Sequence, residues 1–222
     1  MMLLGMAFVG TLTVSTATAQ ITSTGHSQYA AMTSLPLSSV QWTGGFWGER
    51  FQVLSHTSVQ SMWQTWQSPQ GKGFNNFLIA AGKIQGEHHG PPFHDGDMYK
   101  WLEAAASVYA ITKDPELEKI MDRFIGLVEK AQRDDGYIHT PVIIRERNAA
   151  SSAATAPARS ADGNSGPVGT TVGKKDDKAF ENRLNFETYN LGHLIMAGII
   201  HKRATGKETL FRCGVKAADF LY

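Results

Sequence analysis

The strongest constraint on the fold is a two-helix pattern that occurs twice in the chain, at an offset of 93 residues. The first helix of each pair is apolar on nearly all sides, over about 95–112 and again over 185–204. A short turn follows, and then a helix with a single apolar stripe, beginning near Asp114 and near Glu208. A helix without a polar face is buried all round, whereas an amphipathic helix faces water on one side. The repeat therefore predicts helical hairpins stacked in two layers.

Local signals place the turns of these hairpins. Asp114 and Pro115 suit the N-cap and first position of the second helix, and Gly136 suits a left-handed C-cap after it. Earlier in the chain, the pattern predicts a short strand over 35–42 and a helix over about 49–66. The fold class predicted is all-α, and the hairpins fit a partial (α/α)6 toroid, an incomplete barrel. An open solenoid of hairpins is the alternative.

Composition excludes several other classes. Hydrophobic residues make up 42% and charged residues 18%, which is typical of a globular chain. A net charge of +1 gives no basic surface for nucleic acid, so no nucleic-acid partner is expected. One cysteine excludes a disulfide framework and a zinc site built on paired cysteines. We expect no membrane span, and the oligomeric state stays open.

The N-terminus reads as a secretory signal peptide. Residues 1–19 contain no charge and one apolar stretch, and they end in a small-x-small pattern before Gln20. We therefore expect export to the periplasm or outside the cell, with cleavage after Ala19 and a flexible segment over 20–34. The alternative is a frayed hydrophobic N-terminus.

The remaining residues, 35–222, are predicted to form the N-terminal part of one toroid domain. Residues 148–178 contain no aromatic residue and are dominated by Ala, Ser, Gly, Thr and Pro, which predicts a mobile loop. A closed ring of six hairpins needs about twice the helices visible here, at roughly 50 residues per hairpin. We therefore expect an N-terminal fragment of a longer protein.

Polar residues at the start of the two apolar helices are the first candidates for substrate binding. Asp95 and Asp97 lie at one N-terminus, and Glu187 lies at the other, followed within the helix by His193. Helix N-termini carry unpaired N–H groups and partial positive charge, and carboxylates there can bind sugar hydroxyls. The alternatives are helix capping for Asp95 and Asp97 and core packing for His193.

The segment after the first amphipathic helix adds two more candidates, Tyr137 and His139, for which loop packing is the alternative. His88 and His89 lie near His94 and Asp95, but their spacing matches no tight set of metal ligands. No metal ligand and no catalytic residue is assigned within this chain. Cys213 lies on a packed stripe, which favours a small core residue.

Four motifs in order resemble a known family. They are Gly44–Phe51 (GGFWGERF), Asp97–Ala105 (DMYKWLEAA), Gln132–Ile138 (QRDDGYI) and Glu187–Ile195 (ETYNLGHLI). Together they resemble the N-terminal half of the β-L-arabinofuranosidases of glycoside hydrolase family 127, from about Val40 to Tyr222 without the loop.

The resemblance implies an (α/α)6 catalytic barrel followed by β-sandwich domains. It implies retaining hydrolysis with a zinc-bound cysteine as nucleophile and a glutamate as acid/base, both beyond Tyr222, so zinc is expected in the full-length enzyme but not in this segment. By resemblance, His193 is the sugar-contacting histidine and Glu187 the acidic residue of the same motif. The family often has His where this chain has Phe186.

The function expected is that of an exported glycoside hydrolase acting on plant-derived glycans that contain arabinose, with an oligo- or polysaccharide as partner and this segment inactive by itself. Two alternatives stay open. One is a non-catalytic helical-repeat module that binds glycan or protein, and the other is a different α/α-toroid enzyme, such as an uronyl hydrolase, a lyase or an epimerase.

Overall fold

The computed structural model describes residues 27–155, 180 and 183–222, and every regular element within those ranges is a helix. The α-helices are α1 (Gly45–Val53), α2 (Val59–Gln67), α3 (Gly73–Ala80), α4 (His94–Thr112), α5 (Pro115–Ala131), α6 (Thr140–Thr155), α7 (Glu187–Thr205) and α8 (Thr209–Leu221). A π-helical turn over Leu54–Ser58 joins α1 to α2, and short 3-10 turns cover Leu37–Ser39 and Arg183–Asn185. The all-α prediction is confirmed within the described ranges.

The two predicted hairpins are α4–α5 and α7–α8. Helices α4 and α7 each contain 19 residues and begin 93 residues apart, as the repeat predicts. They pack side by side and run in the same direction. Near their N-termini Gly96 N donates to Asn190 Oδ1 (3.0 Å), and near their C-termini Lys113 Nζ donates to Ala204 O (3.1 Å). Helix α5 lies beside α8 in the second layer. The stack therefore has the two layers that the pattern predicts.

The turn between α4 and α5 is set by its sequence. Lys113 adopts a left-handed conformation (φ 54°) that ends α4. Asp114 caps α5, since its Oδ1 accepts a hydrogen bond from Glu116 N at 2.9 Å, and Pro115 occupies the first helical position. The predicted N-cap is confirmed.

An aromatic cluster anchors the first helices to the hairpins. The ring of Trp63 on α2 lies 4.6 Å from that of Trp101 on α4 and 4.9 Å from that of Phe74 on α3. Trp101 Nε1 donates to Val59 O (2.9 Å), while the ring of Trp66, one turn beyond Trp63, lies beside His94 at the start of α4. Helix α2 therefore runs antiparallel to α4 and flanks it.

Three sequence-based predictions of local structure were wrong. Gly136 has a positive φ of 94°, but it does not cap α5, which ends at Ala131 and is followed by Gln132 in an extended conformation. No strand forms over 35–42 in the described structure, where a 3-10 turn follows Pro36 and no neighbouring strand is available for pairing. The predicted loop at 148–178 begins too early, because α6 continues to Thr155. The small residues that suggested a loop include several alanines, which are also the best helix formers. The rest of that segment and the predicted signal peptide lie outside the described residues.

Residues 27–34 are irregular and mostly exposed. Among the described helices, none has both the length and the hydrophobicity that crossing a membrane would require.

Candidate functional site

Five polar side chains form a connected row on the open side of α4 and α7. Lys100 Nζ pairs with Asp97 Oδ1 at 2.7 Å and donates to Tyr189 OH at 2.7 Å. The ring of Tyr189 meets the ring of His193 edge-on at 4.8 Å, and His193 Nδ1 lies 2.9 Å from Glu103 Oε1. We call these five residues the α4/α7 polar row. The row joins α4 to α7 through side chains that solvent can reach.

The row follows from helical spacing on two parallel helices. Asp97, Lys100 and Glu103 are spaced by three residues on α4, and Tyr189 and His193 are spaced by four on α7, so each set shares one face. The opposite face of α4 is packed, with Met98, Leu102 and Ala105 fully buried. Because α4 is apolar elsewhere, its polar stripe marks the side that the fold leaves open.

His193 and Glu103 are the most protected members of the row, with side chains 20% and 15% exposed. Gly192, beside His193, has open space where a Cβ would lie. Helix packing therefore does not require a glycine at position 192.

A cavity of about 600 Å³ lies beside the other end of the row. Asp97 and Lys100 form its polar edge. Its walls are mostly apolar side chains from the π-helical turn, from α2 and from α4. The wall residues are Leu54, Ser58, Val59, Met62, Trp66, Trp101 and Ala104.

Asp95 is inside the protein, on the other side of α4. It is 1% exposed, and its two oxygens accept hydrogen bonds from Thr140 N and Thr140 Oγ1, both at 2.7 Å. Thr140 is the first residue of α6, so Asp95 caps that helix rather than its own. For Asp95 the sequence predicts capping of α4 as the alternative to sugar binding, whereas in the structure Asp95 caps α6.

Tyr137 and Glu187 contact each other in the structure, but away from the open side of α4 and α7. The Tyr137 hydroxyl donates to Glu187 Oε1, and Glu187 Oε2 accepts from Phe180 N at 2.9 Å. Tyr137 is fully buried and Glu187 is 3% exposed. Burial, and secondarily the Glu187 carboxylate, raises the pKa of Tyr137, so its hydroxyl stays protonated. The pair joins the segment before α6 to the start of α7.

His139 is also fully buried. Its Nδ1 lies 3.5 Å from Asp95 Oδ2 and 3.4 Å from Asn190 Nδ2, while its Nε2 has no partner among the described residues. Nearby, burial lowers the pKa of His88 to about 4. Within the described ranges, no three His, Cys, Asp or Glu side chains are arranged to hold a metal ion.

Three members of the polar row were not candidates in the sequence analysis: Lys100, Glu103 and Tyr189. Lys100 and Glu103 were visible as a narrow polar stripe on an apolar helix, and Tyr189 precedes His193 by one turn. The missing information was which residue of α4 faces which residue of α7, and the packing of the two helices supplies it.

The comparisons with known proteins add the family. The model of the family described as "Beta-L-arabinofuranosidase, GH127 catalytic domain" matches residues 39–222. The chain belongs to the GH127 catalytic-domain family. A curated relative, the non-reducing end β-L-arabinofuranosidase of Bifidobacterium longum subsp. longum, is 34% identical over 146 residues, which is 66% of this chain and 18% of that protein.

Solved GH127 structures share the fold. A GH127 β-L-arabinofuranosidase from Geobacillus stearothermophilus T6 matches with a TM-score of 0.66 and 32% identity, over 82% of this chain and 25% of the other. A second structure, described as a GH127 β-arabinofuranosidase, matches with a TM-score of 0.63 and 28% identity, over 83% of this chain and 26% of the other. A third structure, described as a glycoside hydrolase, matches with a TM-score of 0.56 and 44% identity, over 90% of this chain and 22% of the other. The chain thus spans about a quarter or less of the length of these relatives.

The zinc and thiolate that the family implies do not fit the residues described. Cys213 is buried on α8, and burial raises the pKa of its thiol to about 11, so it is protonated at neutral pH. No acidic or imidazole group in the described ranges joins it in a metal-binding set.

Proposed function

We propose that this chain belongs to an exported glycoside hydrolase that releases β-L-arabinofuranosyl groups from plant-derived glycans. Within that enzyme the chain supplies one wall of the sugar pocket. The observation that carries the proposal is the α4/α7 polar row, which lies on the open side of two buried helices in a chain that the GH127 family model matches from residue 39 to residue 222.

The polar row has the chemistry to bind a pentose. Sugar hydroxyls both donate and accept hydrogen bonds, so they are recognised by carboxylates, amines, phenols and imidazoles placed close together. The row offers two carboxylates and one each of the other three groups, with successive contacts of 2.7–4.8 Å, on helices whose opposite faces are buried. Charged partners strengthen such hydrogen bonds roughly twofold over neutral ones.

Bond cleavage itself is assigned to groups outside this chain. By the resemblance, a zinc-bound cysteine and a glutamate acid/base complete the site, and the described residues contain no group of three possible zinc ligands. The leader-like sequence at residues 1–19 supports the export part of this proposal.

The test is a His193→Ala variant made in the complete gene product. We expect kcat/KM on an aryl β-L-arabinofuranoside to fall by about 100-fold or more, because one oriented contact to the reacting sugar is lost. Lys202→Ala is the matched control: Lys202 lies near the other end of the same helix, and its ammonium pairs with Glu208 at 3.0 Å. The control is expected to retain full activity.

Two results would contradict the proposal. One is a wild-type protein that binds glycan without hydrolysing any arabinofuranoside, which would favour the non-catalytic module. The other is an enzyme that is active on uronides but not on arabinofuranosides, which would favour a different toroid enzyme.

A further inference from the structure

We propose that Glu103 is a positioning residue for His193. It holds the imidazole proton on Nδ1, so that Nε2 is presented to the open side as a hydrogen-bond acceptor for a sugar hydroxyl. This inference deepens the proposed function and rests on it for the identity of the ligand. The tautomer itself is a property of the protein alone.

The geometry requires Nδ1 to be the donor. Glu103 Oε1 lies 2.9 Å from His193 Nδ1, which is an ordinary hydrogen-bond distance. An ionised carboxylate only accepts hydrogen bonds, so the hydrogen of this bond belongs to the imidazole. Which ring nitrogen is protonated is commonly set by the hydrogen bond that the other makes, and here the partner comes from the neighbouring helix.

The pair is held from both sides. Glu103 sits on α4, whose opposite face is buried, and His193 sits on α7, where the edge of the Tyr189 ring packs against it at 4.8 Å. The side chains of His193 and Glu103 are only 20% and 15% exposed, so little freedom remains for the imidazole ring to turn away. The other charged groups of the row are Lys100 and Asp97 on α4. Lys100 pairs with Asp97 and also donates a hydrogen bond to the Tyr189 hydroxyl.

Tyr189 complements the imidazole. Its hydroxyl oxygen accepts from Lys100 Nζ at 2.7 Å, which leaves the hydroxyl hydrogen available as a donor. A donor from Tyr189 and an acceptor from His193 therefore stand side by side on α7. Neighbouring hydroxyls of one sugar ring could use both at once, one as acceptor and one as donor.

The tautomer is measurable by long-range ¹H–¹⁵N correlation of the imidazole rings at a pH where His193 is neutral, with its signals assigned by their loss in His193→Ala. We expect wild-type protein to show the Nδ1–H form. In Glu103→Ala the ring is expected to move toward the Nε2–H form that free histidine prefers. Glu129→Ala, which removes an exposed carboxylate of α5, is the matched control and is expected to leave the signals unchanged.

Kinetics then connect the tautomer to the sugar. We expect Glu103→Ala to lower kcat/KM on an aryl β-L-arabinofuranoside by about tenfold or more, with Glu103→Gln closer to wild type because its amide oxygen can still accept from Nδ1. An Nε2–H tautomer in wild-type protein, or an unchanged tautomer in Glu103→Ala, would overturn the inference. A wild-type enzyme with no activity on arabinofuranosides would instead overturn the proposed function and leave the tautomer result intact.

Discussion

Single side chains in this protein are used in ways that spacing alone does not reveal. Asp95 and Asp97 are two residues apart, yet Asp95 caps α6 inside the protein and Asp97 pairs with Lys100 on the open side. Two residues on a helix are rotated by about 200°, so they face nearly opposite directions. Sequence analysis identified both as functional candidates, and only the packing separates their roles.

His201 gives a residue-scale prediction about pH. It is 1% exposed near the end of α7, neither ring nitrogen has a partner among the described residues, and burial lowers its pKa to about 4. The groups facing it are Asp122 and Glu118 of α5 and Lys207 of the α7–α8 turn. Because burial makes the His201 ring harder to protonate in the folded protein, the unfolded chain binds this proton more readily between about pH 6.5 and pH 4. Stability from this group is therefore complete above that window and lost as the pH falls through it.

Urea unfolding at pH 7 and at pH 4.5 measures the effect. We expect wild-type protein to lose on the order of 2–3 kcal/mol more than His201→Leu between these pH values, since leucine has no proton to bind. Equal losses in the two proteins would show that the His201 ring gains a proton as easily in the folded state as in the unfolded one.

At the scale of helices, the α7–α8 hairpin depends on close backbone contact. A Cβ on Gly198 would lie 2.9 Å from Leu210 O and 3.1 Å from Phe211 Cα, and these backbone atoms of α8 cannot swing aside. We expect Gly198→Ala to lower the free energy of unfolding by about 1–3 kcal/mol, measured by urea denaturation with circular dichroism.

Gly126 on α5 is the matched control, because it is exposed and a Cβ there meets nothing within 4 Å. Gly126→Ala is expected to stabilise the protein by about 0.5–1 kcal/mol through the better helix propensity of alanine. If both alanine variants gained stability, α7 and α8 would not approach as closely as the structure has them.

The helices that could be predicted are those whose pattern is complete within one segment. Helices α4, α5, α7 and α8 each carry a continuous periodicity and clear end signals such as Asp114 and Gly206. Helix α6 was missed because its start is capped by Asp95, 45 residues earlier, and its later turns consist of small residues. Its fixed position also depends on Asn148, whose Nδ2 donates to Gly86 O at 3.0 Å. Contacts between residues so far apart in the chain leave no local pattern in the sequence.

At the scale of the molecule, parallel packing of α4 and α7 turns two separate motifs into one surface. The sequence indicated His193 and Asp97 as candidates, and the structure adds Lys100, Glu103 and Tyr189 between them. It also moves Tyr137, His139, Glu187 and Asp95 into the interior, where they hold the ends of the inner helices together. The α4/α7 polar row thus lies on the open side of the same two helices whose N-terminal residues Asp95 and Glu187 make buried contacts.

A crystal structure of the complete gene product with L-arabinose bound tests the central claim most directly. We expect a sugar hydroxyl within about 3.2 Å of His193 Nε2, with Glu103 still bonded to Nδ1 and Tyr189 in contact with the same ring. A sugar bound elsewhere, with the α4/α7 polar row covered by packed protein, would contradict the account.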